Sequence, residues 1–542
     1  MNVEFVSRAE RIVDALLEAS PLTATMAGDH RFDGKLTDYS PAAVAERVSM
    51  LREASHVLTE VDVDSLGAEE VVDLEVLSNS VAARLFDLTE TRDHEWDPLT
   101  HSPSMLINTL LLRAATPPGD RLRALAGRLT AVPDALATAR AQLSDVPATH
   151  AKAGVAQFLG TARLILEQTP QLLAAEPGLV DEVAPPARDA ATACMEFAQW
   201  LSALPEGRSP RLGRKLWEAK LWHALDTPVS ASDWLDRAWR RLDEVGAELA
   251  EAAAELLGET ASEETTARAL ARLAADRPDN DSVVSAAGEA VAEVKRFVAE
   301  HELVTLVDDP LEVVPMPEFS RGAALAYCDP PRAFEPAAAP TSFVISPAPA
   351  GWSDAEVTAF YSEYNSHMLR NLTAQEVMPG RYVQLANARR RSGGTRVRAV
   401  APSVTFMEGW AAYAAELTAS RGYGGLPVRI QQLTAQLRVI AQAIVDQLVH
   451  CDDMTESAAT ELMTRRALQS ERETSRTWRR ALLWSTQLST YFVGYSEVAE
   501  IAAACPYGEP DRRWHDSMLA HGSVPPRHLP TLIWESEPPD AA

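Results

Sequence analysis

Over roughly the first 300 residues, apolar side chains recur at three- and four-residue steps, as in Val71, Leu74, Val81, Leu85 and Leu88, or Leu242, Val245, Leu249 and Leu256. That spacing puts them along one face of an α-helix, so this half of the chain buries its apolar surface as packed helices. Ala, Leu, Arg and Glu are abundant and aromatic residues are only 6% of the chain, a composition that favours helix over strand. Breaks are expected where turn-forming residues gather: Pro21, Gly28 to Tyr39, Trp96 to Pro103, Pro117 to Gly119, Pro185-Pro186 and Pro205 to Pro210.

Between about 303 and 347 the period changes, and Leu303 to Val307, Leu311 to Val314 and Ser342 to Ile345 read as short strands among prolines. Ser353 and Glu356 form a capping box that opens a helix expected to run to Pro379-Gly380, which places Glu376 in its last turn. Further helices are expected over Val404 to Ala419 and over about 428–450, 456–484 and 488–503. The fold class is therefore mainly α, a large multi-helix body with a small β-sheet near residues 303–347. An N-terminal helical lobe over 1–300 and a sheet-plus-helix portion over 301–542 are expected, although one continuous domain over 1–542 fits the same pattern.

A formal net charge of -27 repels polyanions, which excludes broad binding to nucleic acid or an anionic membrane. The stretch from Met1 to Leu17 has no uninterrupted apolar core of the signal-peptide kind, and no apolar run is long enough to cross a bilayer. Cys194, Cys328, Cys451 and Cys505 lie far apart with no CxxC spacing, so neither a disulfide framework nor a thiolate metal site is suggested. A cytoplasmic location is the expectation.

Chemistry-bearing residues concentrate in Thr373-Ala374-Gln375-Glu376-Val377-Met378-Pro379-Gly380-Arg381-Tyr382-Val383-Gln384 and in Phe406-Met407-Glu408-Gly409-Trp410-Ala411-Ala412-Tyr413-Ala414-Ala415-Glu416. These stretches resemble the bacterial domain-of-unknown-function family 885, a zincin-like group whose signature runs HExxPGHxxQ and then EGWAxYxE. Ala27 to Asp33 with Leu36, Asp38 and Ser40 is similar to the family's opening segment, and Trp514-His515-Asp516 with Gly522 to Pro525 to its closing one. Gln487 to Gly494, with Ser489 and Tyr491, resembles a third segment, although Ser485-Thr486 stand where the family has Pro-Gly.

The resemblance implies a zincin-like (gluzincin/neurolysin-like) body, zinc held by two histidines and the EGW glutamate, and a general base in the glutamate after the first histidine. Zinc chemistry of that kind needs three protein ligands, an open position for water and a carboxylate beside it. Two ligands six residues apart do not share a face of one continuous helix, so the Pro-Gly pair must end the helix and fold the second back. This chain keeps Pro379, Gly380, Glu376 and Glu408, but Gln375 and Arg381 stand where the histidines would be. An amide oxygen is a poor zinc ligand and a guanidinium has no lone pair to give, so no zinc or other cofactor is expected, and Glu408 becomes a vestigial metal residue.

Arg381 carries a positive charge to the place where a divalent cation would hold Glu376 and Glu408 together. One reading has its guanidinium bridge the two carboxylates; the other has Arg381 in solvent and Glu376 as an ordinary helix-end carboxylate. Glu376 and Tyr491 are the candidate catalytic residues, the phenol as an oxyanion stabiliser, and Arg381, Gln384 and His515 the candidate substrate contacts. Tyr491 and His515 equally fit core positions with their polar atoms satisfied, and His367 reads as structural. Arg389, Arg390, Arg391, Arg396 and Arg398 around Ser392-Gly393-Gly394 suit either a substrate clamp or a solvated loop pairing with nearby acids. A sheet edge near Val313 to Phe319 could add a peptide strand.

These features predict a metallopeptidase homologue inactive as a zinc peptidase, with a cleft for a peptide or a small acidic ligand. The alternatives are a hydrolase that uses a non-zinc metal or Glu376 alone, and a purely structural protein.

Overall fold

A computed structural model describes residues 2–113, 115–321, 324–336, 339–391 and 394–536, without the side chain of Phe319. The chain divides into two compact units, the first of Met1–His223, Arg332–Glu335 and Gly394–Ala401, the second of Ala224–Pro331, Pro336–Gly393 and Pro402–Ala542.

The helices of the first part of the chain are α1 (Val3–Ala19), α2 (Pro21–Ala27), α3 (Pro41–Thr59), α4 (Ala68–Phe86), α5 (Ser104–Leu112), α6 (Pro118–Gln142), α7 (Ala148–Leu173), α8 (Val180–Ser202) and α9 (Arg214–Leu225). The core of the first unit lies between α6, α7 and α8. Leu122, Leu125, Leu129, Val132 and Leu136 recur at helical spacing on α6 and meet Phe158 and Ile165 of α7 and Val183, Phe197 and Leu201 of α8. Phe158 and Phe197 pack edge to face with centroids 4.7 Å apart. Pro185-Pro186, expected to break the chain, lies inside α8. The carbonyls that lose a partner there belong to Asp181 and Glu182, both exposed residues that solvent reaches.

The second unit continues with α10 (Ala231–Leu257), α11 (Glu263–Ala274), α12 (Val283–Glu300), β1 (Leu311–Pro315), β2 (Ala326–Asp329), β3 (Thr341–Ile345), α13 (Asp354–Glu363), α14 (Ser366–Glu376) and α15 (Arg381–Arg390). After α16 (Val397–Val400), which belongs to the first unit, come α17 (Val404–Ser420), α18 (Gly425–Cys451), α19 (Glu456–Arg466), α20 (Glu471–Leu483), α21 (Gln487–Ala503), α22 (Arg512–Leu519) and α23 (Leu529–Ser536). The protein is thus mainly helical with one three-stranded sheet, in the order β1-β3-β2, β1 parallel and β2 antiparallel to β3. On α10 the apolar stripe is buried at Leu242, Val245 and Leu249 and half-buried at Leu256.

Three further expectations are corrected. Leu303 to Val307 is not a strand, because its polar groups are claimed by α22: Leu303 O bonds His515 Nδ1 at 2.7 Å and Thr305 N donates to Asp516 Oδ1 at 2.8 Å. The helix expected from Ser353 to Pro379 is two, since Asn365 caps α14 by accepting from the N–H groups of His367 and Met368, each at 3.1 Å. The span 456–484 is likewise two helices, α19 and α20, the second capped by Ser470. The edge strand β1 ends at Pro315, short of Phe319, whose side chain is outside the described residues.

Candidate functional site

Helix α14 ends at Glu376, and the turn Val377 to Gly380 reverses the chain so that α15 begins at Arg381. The reversal needs glycine at 380: a Cβ there would sit 1.8 Å from the carbonyl oxygen of Gln375. Trp410, wholly buried on α17, holds the turn by donating its indole N–H to Pro379 O at 2.9 Å. Glu408, two residues before that tryptophan, is thereby brought opposite the turn.

Arg381 lies between the two carboxylates. Its Nε donates to Glu376 Oε2 at 2.9 Å and its Nη2 to Glu408 Oε2 at 2.5 Å. The side chains of Arg381, Glu376 and Glu408 are only 14, 9 and 15% exposed, so this is a desolvated ion triad. Burial by itself would depress the Arg381 pKa, but the two carboxylates outweigh it and the pKa ends raised, so the guanidinium is permanently charged. The second oxygen of Glu376 accepts from the Gln375 amide at 3.2 Å. The bridging arrangement expected for Arg381 is therefore the one present.

Helix α21 brings Tyr491 to the same place through a close crossing with α17. A Cβ on Gly409 would meet Gly494 C at 2.3 Å, and one on Gly494 would meet Thr405 O at 2.1 Å, so the two backbones touch and only glycine fits. The start of α21 is fixed by Asp446, fully buried on α18, which accepts from Thr486 N at 3.0 Å and from Ser489 N at 3.0 Å. Thr486 itself has φ 73°, the left-handed region that a β-branched residue rarely adopts. Burial and the charge of Glu408 raise the Tyr491 pKa, with Arg480 and Arg381 acting against them. Arg480 Nη2 donates to Tyr491 Oη at 2.7 Å, leaving the phenolic proton free to be given elsewhere. Arg480 went unnoticed in the sequence because nothing distinguishes it among the arginines of α20. Cys328 of β2 also lies near: burial first, then the charge of Glu376, raises its thiol pKa.

The other candidates are placed differently. Gln384, one turn after Arg381 on the same face of α15, is 1% exposed and donates to Ser523 Oγ at 2.9 Å, while its Oε1 has no hydrogen-bond partner among the described residues. His515 is wholly buried with both ring nitrogens engaged, Nδ1 by Leu303 O and Nε2 by Tyr413 Oη at 2.8 Å. A carbonyl only accepts, so Nδ1 carries the proton, Nε2 accepts from the phenol, and no polar atom of His515 remains for a ligand. His367 pairs with Asp276 at 3.2 Å. Four arginines of the cluster are tied to acids. Arg389 bonds Asp309 at 2.8 Å, Arg390 bonds the same carboxylate, Arg396 pairs with Glu10 and Asp14, and Arg398 with Asp73 and Glu69 at 2.6 Å each. Ser392 and Gly393 are outside the described residues. Among the described residues no group of three or more His, Cys, Asp or Glu side chains is arranged to hold a metal ion.

Solved structures share this fold. One from Shewanella oneidensis, described as "a putative lipoprotein of unknown function", is 25% identical, covers 98% of this chain and 99% of its own, and has a TM-score of 0.84. Another from Colwellia psychrerythraea, described as a "putative lipoprotein", is 16% identical with a TM-score of 0.79, covering 98% of each chain. No curated protein matches in sequence. A family model described as "Bacterial protein of unknown function (DUF885)" matches residues 21–533, nearly the whole chain. The chain belongs to that bacterial family of unknown function, DUF885.

Proposed function

We propose that this chain is a zincin-like homologue without zinc peptidase chemistry, acting as a binding or regulatory protein whose ligand site has the Glu376–Arg381–Glu408 group as its floor. The observation that carries the reading is the guanidinium of Arg381 bonded to both carboxylates. A cation with no lone pair stands where a metal would have to stand, and the neighbouring Gln375, which turns its amide N–H to Glu376, offers only an amide oxygen, a poor zinc ligand, so the residues present do not fit zinc. Glu376 is bonded through one oxygen to Arg381 and through the other to Gln375, so a water that it activated would have to share an oxygen already hydrogen-bonded. Toward solvent the group continues into half-buried Tyr491 and Arg480 and exposed Gln487. A phenolic proton and guanidinium N–H groups there suit the carboxylate or main-chain carbonyls of a peptide or small acidic ligand.

The test is metal content by elemental mass spectrometry after incubation with zinc or manganese, for wild type and for the double variant Gln375→His, Arg381→His. Wild type is expected to retain no stoichiometric metal and the double variant close to one zinc per chain. Near-stoichiometric metal on wild type would overturn the proposal.

A further inference from the structure

Within the second unit, α11, α13, α18 and the start of α20 line an open cleft of about 420 Å³, the size of a pocket for one small molecule. Its lining combines apolar Leu270, Ala274 and Phe360 with polar Tyr364, Gln431 and Arg438.

These polar groups are only partly used by the protein. Gln431 is 3% exposed, yet its side-chain amide makes no hydrogen bond to any described residue, and neither does the hydroxyl of Tyr364. Burial, with Glu363 and Glu473 nearby, pushes the Tyr364 pKa up to about 12, so the phenol keeps a proton to donate. Arg438 donates Nη1 to Glu363 at 2.9 Å, and its buried Nε has no partner among the described residues. Two donors without a protein partner among the described residues, the Gln431 amide and the Tyr364 hydroxyl, stand with the Arg438 guanidinium in the lining of one cleft, a set that suits an anionic acceptor. The charges on the wall agree. Arg438 pairs with Glu363 and Arg476 with Glu473 at 3.1 Å, which leaves Arg472, stacked on Trp352 at 4.2 Å, as the cation with no carboxylate within salt-bridge distance among the described residues. The lining is thus one positive charge in excess.

We propose that this cleft binds a small amphipathic monocarboxylate, its apolar body against Leu270, Ala274 and Phe360 and its carboxylate held by Gln431, Tyr364 and Arg438. A carboxylate offers about four lone-pair sites, enough for all three donors at once, and its charge balances the lining. The site is separate from the Glu376–Arg381–Glu408 group and does not depend on the reading given to that group. Asn365 on its wall caps one end of the 11-residue helix α14 and Glu376 ends the other, about 16 Å away.

The test is calorimetric titration of the full chain with phenylacetate, hexanoate and the uncharged analogue phenylacetamide, together with thermal melts, for wild type, Gln431→Leu and Ala274→Phe. Saturable binding of at least one of the two carboxylates is expected, with phenylacetamide about tenfold weaker than phenylacetate. Gln431→Leu should weaken the carboxylates about tenfold without lowering the Tm of the unliganded protein, because the amide it removes bonds to nothing. Ala274→Phe, which fills the apolar part of the cleft, should abolish binding while leaving the melt intact. Failure of both carboxylates to bind, equal binding of acid and amide, or undiminished binding by Ala274→Phe would each overturn the proposal.

Discussion

Removing the guanidinium of Arg381 would leave the carboxylates of Glu376 and Glu408 facing one another with 9 and 15% of their side chains exposed. Breaking a buried ion group by deleting one partner costs roughly 3–5 kcal/mol, most of it from the charges left behind. Arg381→Met is therefore expected to lose about that much in urea denaturation at neutral pH. Part of the loss should return in the double variant with Glu376→Gln, since only one buried charge then remains. A loss below about 1 kcal/mol would show that the triad is hydrated rather than buried. At this scale the sequence was readable where a residue's chemistry admits few arrangements: it narrowed Arg381 to two, bridging the acids or facing solvent, and the structure shows the first. It was unreadable where the partner lies far along the chain. Nothing near Tyr491 announces Arg480, and nothing near His515 announces the carbonyl of Leu303 that, with Tyr413, makes it a structural residue.

Helix α17 carries Glu408 and α21 carries Tyr491, and what sets the distance between them is the contact of Gly409 with Gly494. A methyl group at either position would overlap backbone, which cannot rotate away as a side chain can. Gly494→Ala is expected to destabilise the protein by about 3 kcal/mol or more. It should also shift the near-ultraviolet signal of Trp410, because the helices must separate next to that indole. An alanine variant as stable as wild type would mean that the crossing tolerates a gap and does not position the site. Elements whose burial follows a regular period, such as α10, could be read from the chain alone. The helix ends were harder, because Asn365 and Ser470 cut expected helices by hydrogen bonds that hydrophobic periodicity does not report. Strand β2 escaped because Ala326-Tyr327-Cys328-Asp329 is too short to show an alternation, and its pairing with β3 is a tertiary event.

For the molecule as a whole, the dependence of stability on pH runs opposite to ordinary acid denaturation over part of the range. Glu497 in the second unit is pushed up to about 7 by burial, despite the hydrogen bond from Thr227, and Asp97 in the first is pushed up to about 7 by burial as well. A carboxylic acid with a raised pKa holds more protons folded than unfolded, so it loses stability as pH rises from its unfolded value toward its folded one, and regains it as pH falls. Between about pH 8 and 6.5 each of these two groups should add roughly 1 kcal/mol on acidification. The net charge of -27, whose self-repulsion weakens in the same direction, adds to the gain. Below about 6.5 the trend is opposed by His94, His101 and His515, whose pKa values burial lowers, because the unfolded chain then takes up protons that these side chains refuse. Urea midpoints should therefore rise from pH 8 to 6.5 and flatten below. In Glu497→Gln the rise should shrink by about 1 kcal/mol, because the amide has no proton to take up. A wild-type midpoint that falls over that interval, or a Glu497→Gln profile parallel to it, would show that Glu497 stays ionised in the fold and that its environment is wetter than its burial implies.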